Sequence, residues 1–80
     1  MKAIVWSKYY CPYCDKAKAL LKMRGVEFEE RKIGDGYTRE ELLEVVPNAR
    51  TVPQIFIDNQ LIGGYTELEN YFFKEVARCY

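Results

Sequence analysis

Ala3-Ile4-Val5-Trp6-Ser7-Lys8-Tyr9-Tyr10-Cys11-Pro12-Tyr13-Cys14 is the stretch in which the chain changes from one backbone period to another. Upstream, residues 2–6 are apolar and β-rich, the pattern of a short buried strand. Downstream, residues 12–24 turn helical. Cys14, Ala17 and Leu21 fall at i, i+3 and i+7 on one face, and Pro12 suits the first turn, where its missing N–H has no intrahelical partner to lose. Gly25 closes this helix as a C′ residue, with Lys22 and Arg24 in the last turn, where the helix dipole favours cations. A strand running straight into a helix, with two cysteines at the joint, carries its chemistry at that junction.

Working outward, residues 26–33 alternate, with Val26 and Phe28 on one face and Glu27 and Glu29 on the other, which predicts a second strand. Gly34-Asp35-Gly36 is a loop. Thr38-Arg39-Glu40-Glu41 is a capping box that opens a short helix over 38–46, stopped by Pro47 and Asn48. Residues 54–57 and 60–62 read as strands joined by the tight turn Asp58-Asn59, a hairpin. Gly63-Gly64 breaks the chain, and Thr66-Glu67-Leu68-Glu69 reads as a second capping box opening a last helix to about residue 78. The order is βαβ, α, ββ, α, with the first crossover parallel and right-handed. It predicts a single α/β domain over residues 1–80 with a thioredoxin-like fold: a four-stranded mixed sheet with helices on both faces.

Composition narrows the chemistry. Eighty residues, 49% of them hydrophobic, sustain a core without disulfide staples or a structural metal. Twelve basic and twelve acidic residues cancel, which argues against nucleic acid or an anionic membrane as the main partner. The apolar run Ala3-Ile4-Val5-Trp6 is far shorter than the roughly 7–15 residues of a secretory h-region or the about 20 of a membrane span. The expected setting is cytoplasmic, where thiols stay reduced and a CxxC pair serves redox or metal chemistry. A structural zinc site wants four Cys or His ligands. Cys11, Cys14 and Cys79 supply three and the chain has no histidine, so no metal is expected. The missing histidine also removes Cys–His and Ser–His nucleophilic catalysis.

Cys11 falls in or beside the N-cap position of the first helix. Free N–H groups and the positive end of the dipole face its sulfur, and Lys8 adds a nearby cation, so its thiol is pushed below the usual value. Cys14, one turn in, looks toward the core. Cys11 is therefore expected to be exposed and to attack, and Cys14 to be shielded and to resolve the mixed disulfide. The competing reading is a pair of small buried hydrophobes or half a zinc knuckle. The strand–helix context and the lack of further ligands favour redox.

Three ordered motifs, Lys8-Tyr9-Tyr10-Cys11-Pro12-Tyr13-Cys14, Arg50-Thr51-Val52-Pro53-Gln54-Ile55-Phe56-Ile57 and Ile62-Gly63-Gly64-Tyr65, resemble those of the glutaredoxin family across essentially the whole chain. The Gly-Pro typical of thioredoxins between the cysteines is absent. The resemblance implies a monomeric dithiol enzyme that uses glutathione as co-substrate to reduce protein disulfides and glutathione mixed disulfides. Cys11 and Cys14 would be its catalytic pair. It implies a cis Pro53 beside the disulfide, preceded by Thr51 and by Val52, whose backbone pairs with the cysteinyl part of glutathione. Lys8 and Arg39 would receive the glycyl carboxylate, and Tyr13 and Tyr65 would flank the groove. Gly64, Thr66 and Glu67 would hold the γ-glutamyl end, Glu67 being one methylene longer than the Asp the family often has.

The resemblance further implies ribonucleotide reductase as a protein client, with NADPH entering only through a separate glutathione reductase. Two other readings share the motif. One is a redoxin recharged by thioredoxin reductase that donates electrons to ribonucleotide reductase. The other is an iron–sulfur carrier ligated through Cys11 and glutathione, against which Pro12 speaks. Cys79, on the apolar stripe of the last helix with Leu68, Tyr71, Phe72 and Val76, reads as a packed, inert thiol.

Overall fold

The computed structural model describes the backbone of residues 1–78 and the side chains of residues 1–73, so Cys79 lies outside the described residues. The elements are β1 (Lys2–Lys8), α1 (Pro12–Met23), β2 (Glu27–Ile33), α2 (Arg39–Val45), β3 (Gln54–Ile57), β4 (Gln60–Gly63) and α3 (Tyr65–Arg78). The strands form one mixed sheet in the order β2-β1-β3-β4, with β1 parallel to β2 and antiparallel to β3, and β4 antiparallel to β3.

The two central strands are covered on both faces, which is why β1 is apolar at successive positions rather than alternate ones. Ala3 and Val5 join Ile55 and Ile57 on the face that packs against Ala17 and Leu21 of α1 and Leu68 and Phe72 of α3. On the opposite face Trp6 packs with Leu42 and Val46, the apolar edge of α2. The capping box of α2 is formed as expected: Glu41 N–H donates to Thr38 Oγ1 at 3.2 Å, and Thr38 N–H donates to Glu41 Oε1 at 3.0 Å. The β3–β4 turn is also as expected, with Asp58 and Asn59 both left-handed at φ 49° and 67°. That pairing of positive angles matches the twist of a two-residue hairpin.

Three boundaries differ from the sequence expectation, each for a local reason. First, β1 continues to Lys8, because Trp6, Ser7 and Lys8 stay in register with Arg31, Lys32 and Ile33 of β2. The ladder extends the strand past the apolar run. Second, Val26 belongs to the end of α1 rather than to β2. Its N–H donates to Leu21 C=O at 2.9 Å and that of Gly25 to Lys22 C=O at 3.1 Å. This is a Schellman closure, with Gly25 left-handed at φ 70° and Val26 buried in the same cluster as Leu21.

Third, the Thr66–Glu69 capping box does not form, because α3 starts earlier. Gly64 is the N-cap, its C=O accepting from Leu68 N–H at 3.0 Å, and Gly64 N–H donates to Glu67 Oε1 at 2.7 Å. Gly63, at φ 122°, turns the chain so that the Gly64 amide meets Glu67. Glu67→Ala is expected to cost about 1 kcal/mol, the usual order for losing a cap. That corresponds to a melting temperature about 4–8 °C lower. Thermal denaturation of the two proteins at one pH measures it.

Ser7, polar and 0% exposed, is satisfied by Glu30: its hydroxyl donates to Glu30 Oε2 at 2.7 Å, and Lys18 Nζ donates to the same oxygen at 2.8 Å. Burial pulls the Glu30 carboxyl upward, but hydrogen bonds from Lys18 and Ser7 and the charges of Lys18 and Lys32 outweigh it and hold it below its ordinary value. A carboxyl lowered in the folded state contributes stability above its unfolded value and loses it as pH falls through the folded one. The melting temperature should therefore fall on acidification below about pH 4.5, and Glu30→Gln should flatten part of that slope. Melting curves of both proteins from neutral to acid pH test the difference.

Candidate functional site

Segments distant in sequence meet at the end of the sheet where β1 stops. They are the β1–α1 turn, the loop entering β3 and the β4–α3 junction. Antiparallel pairing of Trp6 with Gln54, and of Ile55 with Gly63, brings the last two beside the first.

Cys11 is the N-cap of α1, with extended backbone (φ −120°, ψ 95°). Its sulfur accepts from the Cys14 N–H at 3.2 Å, and the two cysteines are joined by a disulfide. The same N–H stabilises a thiolate on Cys11 once the bond is reduced. Cys14 is 1% exposed. Cys11, expected to be exposed, is 8% exposed. It is tucked in by its bond to Cys14 and by the Val52 carbonyl, whose oxygen lies 3.8 Å from its sulfur. The ranking of the two sulfurs survives, but the openness does not. The peptide between Val52 and Pro53 is cis.

An aromatic wall stands on one side. The Tyr13 ring, 58% exposed, lies 6.0 Å from that of Tyr65, and Lys16 Nζ sits 5.1 Å from the Tyr13 centroid. Gly64 stands where the start of α3 meets the loop entering β3: a Cβ there would lie 3.6 Å from the Pro53 carbonyl oxygen and 3.1 Å from Glu67 Oε1. Thr66 is exposed on the first turn of α3, and Glu67 folds back over Gly63 and Gly64.

On the other side runs a groove of about 180 Å³. It brings together Lys8, Arg39, Thr51 and Val52, and adds Arg50. Sequence reading passed over Arg50 as a site residue, although it adjoins the Thr51-Val52-Pro53 motif. It also missed the Ser7–Glu30–Lys18 cluster, whose partners come from three different elements. Tyr10 lies in the turn between β1 and α1. It precedes Cys11 with left-handed backbone (φ 55°) and is 99% exposed.

A family model described as Glutaredoxin matches residues 3–62. The chain belongs to the glutaredoxin family. Glutaredoxin 3 of Escherichia coli K12 is 49% identical over 65 residues, covering 80% of this chain and 77% of that protein. Glutaredoxin 1 from Francisella tularensis, solved with cacodylate, superposes with a TM-score of 0.79 at 32% identity, over 95% of this chain and 96% of that one. A buckwheat glutaredoxin solved with glutathione also gives 0.79, at 27% identity over 91% and 69% of the two chains. The thioredoxin-like fold and the Cys11–Cys14 dithiol motif are those of this family. The protein is a dithiol glutaredoxin, a glutathione-dependent disulfide reductase.

Proposed function

We propose that residues 1–80 act as one monomeric glutaredoxin-like domain that reduces protein disulfides and glutathione mixed disulfides, with Cys11 as the attacking thiol and Cys14 as the resolving one. The observation that carries the assignment of roles is the Cys14 N–H aimed at the Cys11 sulfur at 3.2 Å, with Cys14 itself the more deeply buried of the two.

With a protein disulfide, the Cys11 thiolate attacks one client sulfur. The client S–S bond breaks, a bond to Cys11 forms, and the released client sulfur takes up a proton. Cys14, having given up its proton, attacks the Cys11 sulfur, closes the Cys11–Cys14 bond and frees the second client thiol. The client gains two electrons and two protons, which the two protein thiols lose. Two glutathione molecules then return them, leaving as glutathione disulfide. With a glutathionylated client, Cys11 attacks the glutathione sulfur and releases the client thiol. A second glutathione regenerates Cys11, and Cys14 is not used.

In this reading glutathione lies along the Val52 backbone between Tyr13 and Tyr65. Lys8, Arg39 and Thr51 face its glycyl carboxylate, and its γ-glutamyl end meets Gly64, Tyr65 and Thr66. Glu67 already accepts the Gly64 N–H. The γ-glutamyl carboxylate is therefore left the next N–H groups of α3, and the Glu67 charge stands beside the glutathione amino group. No metal takes part. No helix among the described residues is long and apolar enough to cross a membrane. The proposed setting is the cytoplasm, with ribonucleotide reductase among the clients.

The test supplies the oxidised protein with NADPH and either glutathione plus glutathione reductase or thioredoxin reductase alone. Recovery of both thiols with the first system and not the second is the expected result. Reduction by thioredoxin reductase alone would overturn the glutathione assignment.

A further inference from the structure

The resolving step asks more of α1 than the attack does. Cys11 stands at the helix end as its N-cap, whereas the Cys14 sulfur moves with the first turn of α1. That turn has little to hold it. Pro12, Tyr13, Asp15 and Lys16 are exposed, and apart from Cys14 the buried side chains of α1 are Ala17 and Leu21, further along. Apolar contact is non-directional, so it presses a helix on a sheet without fixing its rotation. In the oxidised state the bond to Cys11 fixes Cys14. Once that bond opens, another contact has to.

The Ser7–Glu30–Lys18 cluster, which the thiol chemistry and the glutathione groove leave unused, makes such a contact. Lys18 follows Cys14 by four residues, a spacing that puts the two side chains on one helix face with Cβ atoms about 5–6 Å apart. Its side chain turns back toward the start of α1, Nζ lying 3.5 Å from Asp15 Oδ1 and 2.8 Å from Glu30 Oε2. The same Glu30 oxygen accepts from the hydroxyl of Ser7 at 2.7 Å, and Ser7 is fully buried one position before β1 ends. One carboxylate oxygen thus ties α1 to β2 and β1 together. Burial pulls the Glu30 carboxyl up, yet its hydrogen bonds and the nearby lysines hold it below its ordinary value, so it is a poor acceptor for a thiol proton. Its contribution is direction. Hydrogen bonds weaken steeply with angle, so a charged pair this short resists rotation of the helix.

We propose that Lys18 is a positioning residue for the resolving step: its hydrogen bond to Glu30, itself anchored on Ser7, fixes the rotation of α1 that keeps the Cys14 sulfur behind Cys11 when the disulfide is open. The proposal rests on the reading of Cys14 as the resolving thiol. It concerns the step in which the Cys14 thiolate attacks the Cys11 sulfur of a mixed disulfide. The Cys11–Cys14 bond forms, the bond to the partner sulfur breaks, and the departing thiolate takes up a proton in place of the one Cys14 gave up. The first exchange at Cys11 lies outside it.

The experiment equilibrates the parent and Lys18→Met in glutathione buffers and quenches them with acid. The reduced, glutathionylated and internally bonded forms are counted by peptide mass, so that Cys79 does not enter the count. Two constants result. One describes exchange of glutathione disulfide with Cys11. The other describes displacement of that glutathione by Cys14, and it is the effective concentration of Cys14 at the Cys11 sulfur. Lys18→Met should lower the second about tenfold, in keeping with the steep cost of small misplacements, and leave the first within about twofold. Lys18→Arg, which keeps a cation for Glu30, should hold the second within about threefold of the parent. Should the unpaired Glu30 keep Lys18→Met from folding, Lys18→Met with Glu30→Gln removes that charge and should show the same loss of closure.

An unchanged closure constant in the variant lacking Lys18 would overturn the proposal. So would equal falls in both constants, which mean a general loosening of the site, or a fall in Lys18→Arg as large as that in Lys18→Met. If the parent itself forms no Cys11–Cys14 bond, or carries glutathione on Cys14, the division of roles fails and this proposal with it. If the parent closes and the variant closes equally well, the division of roles stands and only this proposal falls.

Discussion

Cys11→Ser is expected to take turnover of a glutathione mixed disulfide down to the uncatalysed background, while Cys14→Ser should keep a large part of it. The asymmetry follows from the first turn of α1. The Cys11 sulfur sits at the N-cap and accepts the Cys14 N–H at 3.2 Å. A negative charge there is stabilised by a hydrogen bond and by the helix dipole. Serine in its place keeps the geometry but does not ionise near neutrality, so no nucleophile remains. Cys14 is 1% exposed and reaches only the Cys11 sulfur, so it serves the step that closes the internal disulfide. A glutathione mixed disulfide does not require that step. A glutathione-coupled assay on both variants measures the contrast, and comparable losses would remove the division of roles. On a protein disulfide the pattern shifts: Cys14→Ser should accumulate a covalent adduct with the client, visible by non-reducing electrophoresis.

The second large effect is on stability. Leu21→Ala is expected to cost about 2–5 kcal/mol. Leu21 is 0% exposed and packs in the cluster that joins α1 to the sheet and to α3. A domain of this size has only about 4–12 kcal/mol in total, so the variant stands close to unfolding at ordinary temperature. Urea denaturation should show a lower midpoint at an unchanged slope, since the area exposed on unfolding barely alters. Lys22→Ala, next along the chain and exposed, is the matched control and should shift the midpoint little. The same cluster positions the α1 N-terminus, so the variant should also lose activity on warming before the parent does.

Much of this was legible in the residues, wherever the decisive forces act locally. Pro12 and Gly25 bracket α1, because each acts through its own backbone. Thr38 and Glu41 announced α2 through a reciprocal cap that is realised at 3.0 and 3.2 Å. The start of α3 was misread because two overlapping patterns compete there. Thr66 and Glu69 have the cap spacing, but the left-handed turn at Gly63 gives the position to Gly64 and Glu67. No side-chain pattern records a glycine's φ.

The openness of Cys11 was misjudged for a different reason. The carbonyl that covers it belongs to Val52, 41 positions away in the chain. The cationic groove was half seen for the same cause. Lys8 and Arg39 were picked out one at a time, but Arg50 joins them only because β3 runs antiparallel to β1 and delivers its entering loop to the end of that strand.

The Cys11–Cys14 disulfide spans a sequence separation of 3, among the smallest rings a chain can close. A cross-link stabilises chiefly by restricting the unfolded chain, and that restriction grows with the enclosed length. It amounts to about 2 kcal/mol for so short a ring, against about 4.7 kcal/mol for one enclosing 100 residues. Opening the bond thus frees the denatured ensemble by less than half of what a 100-residue ring would. The core of Leu21, Ile55 and Leu68 lies outside the ring. The domain can trade two electrons with its partners over many cycles on one core, the oxidised form melting roughly 8–16 °C above the reduced one at about 4–8 °C per kcal/mol.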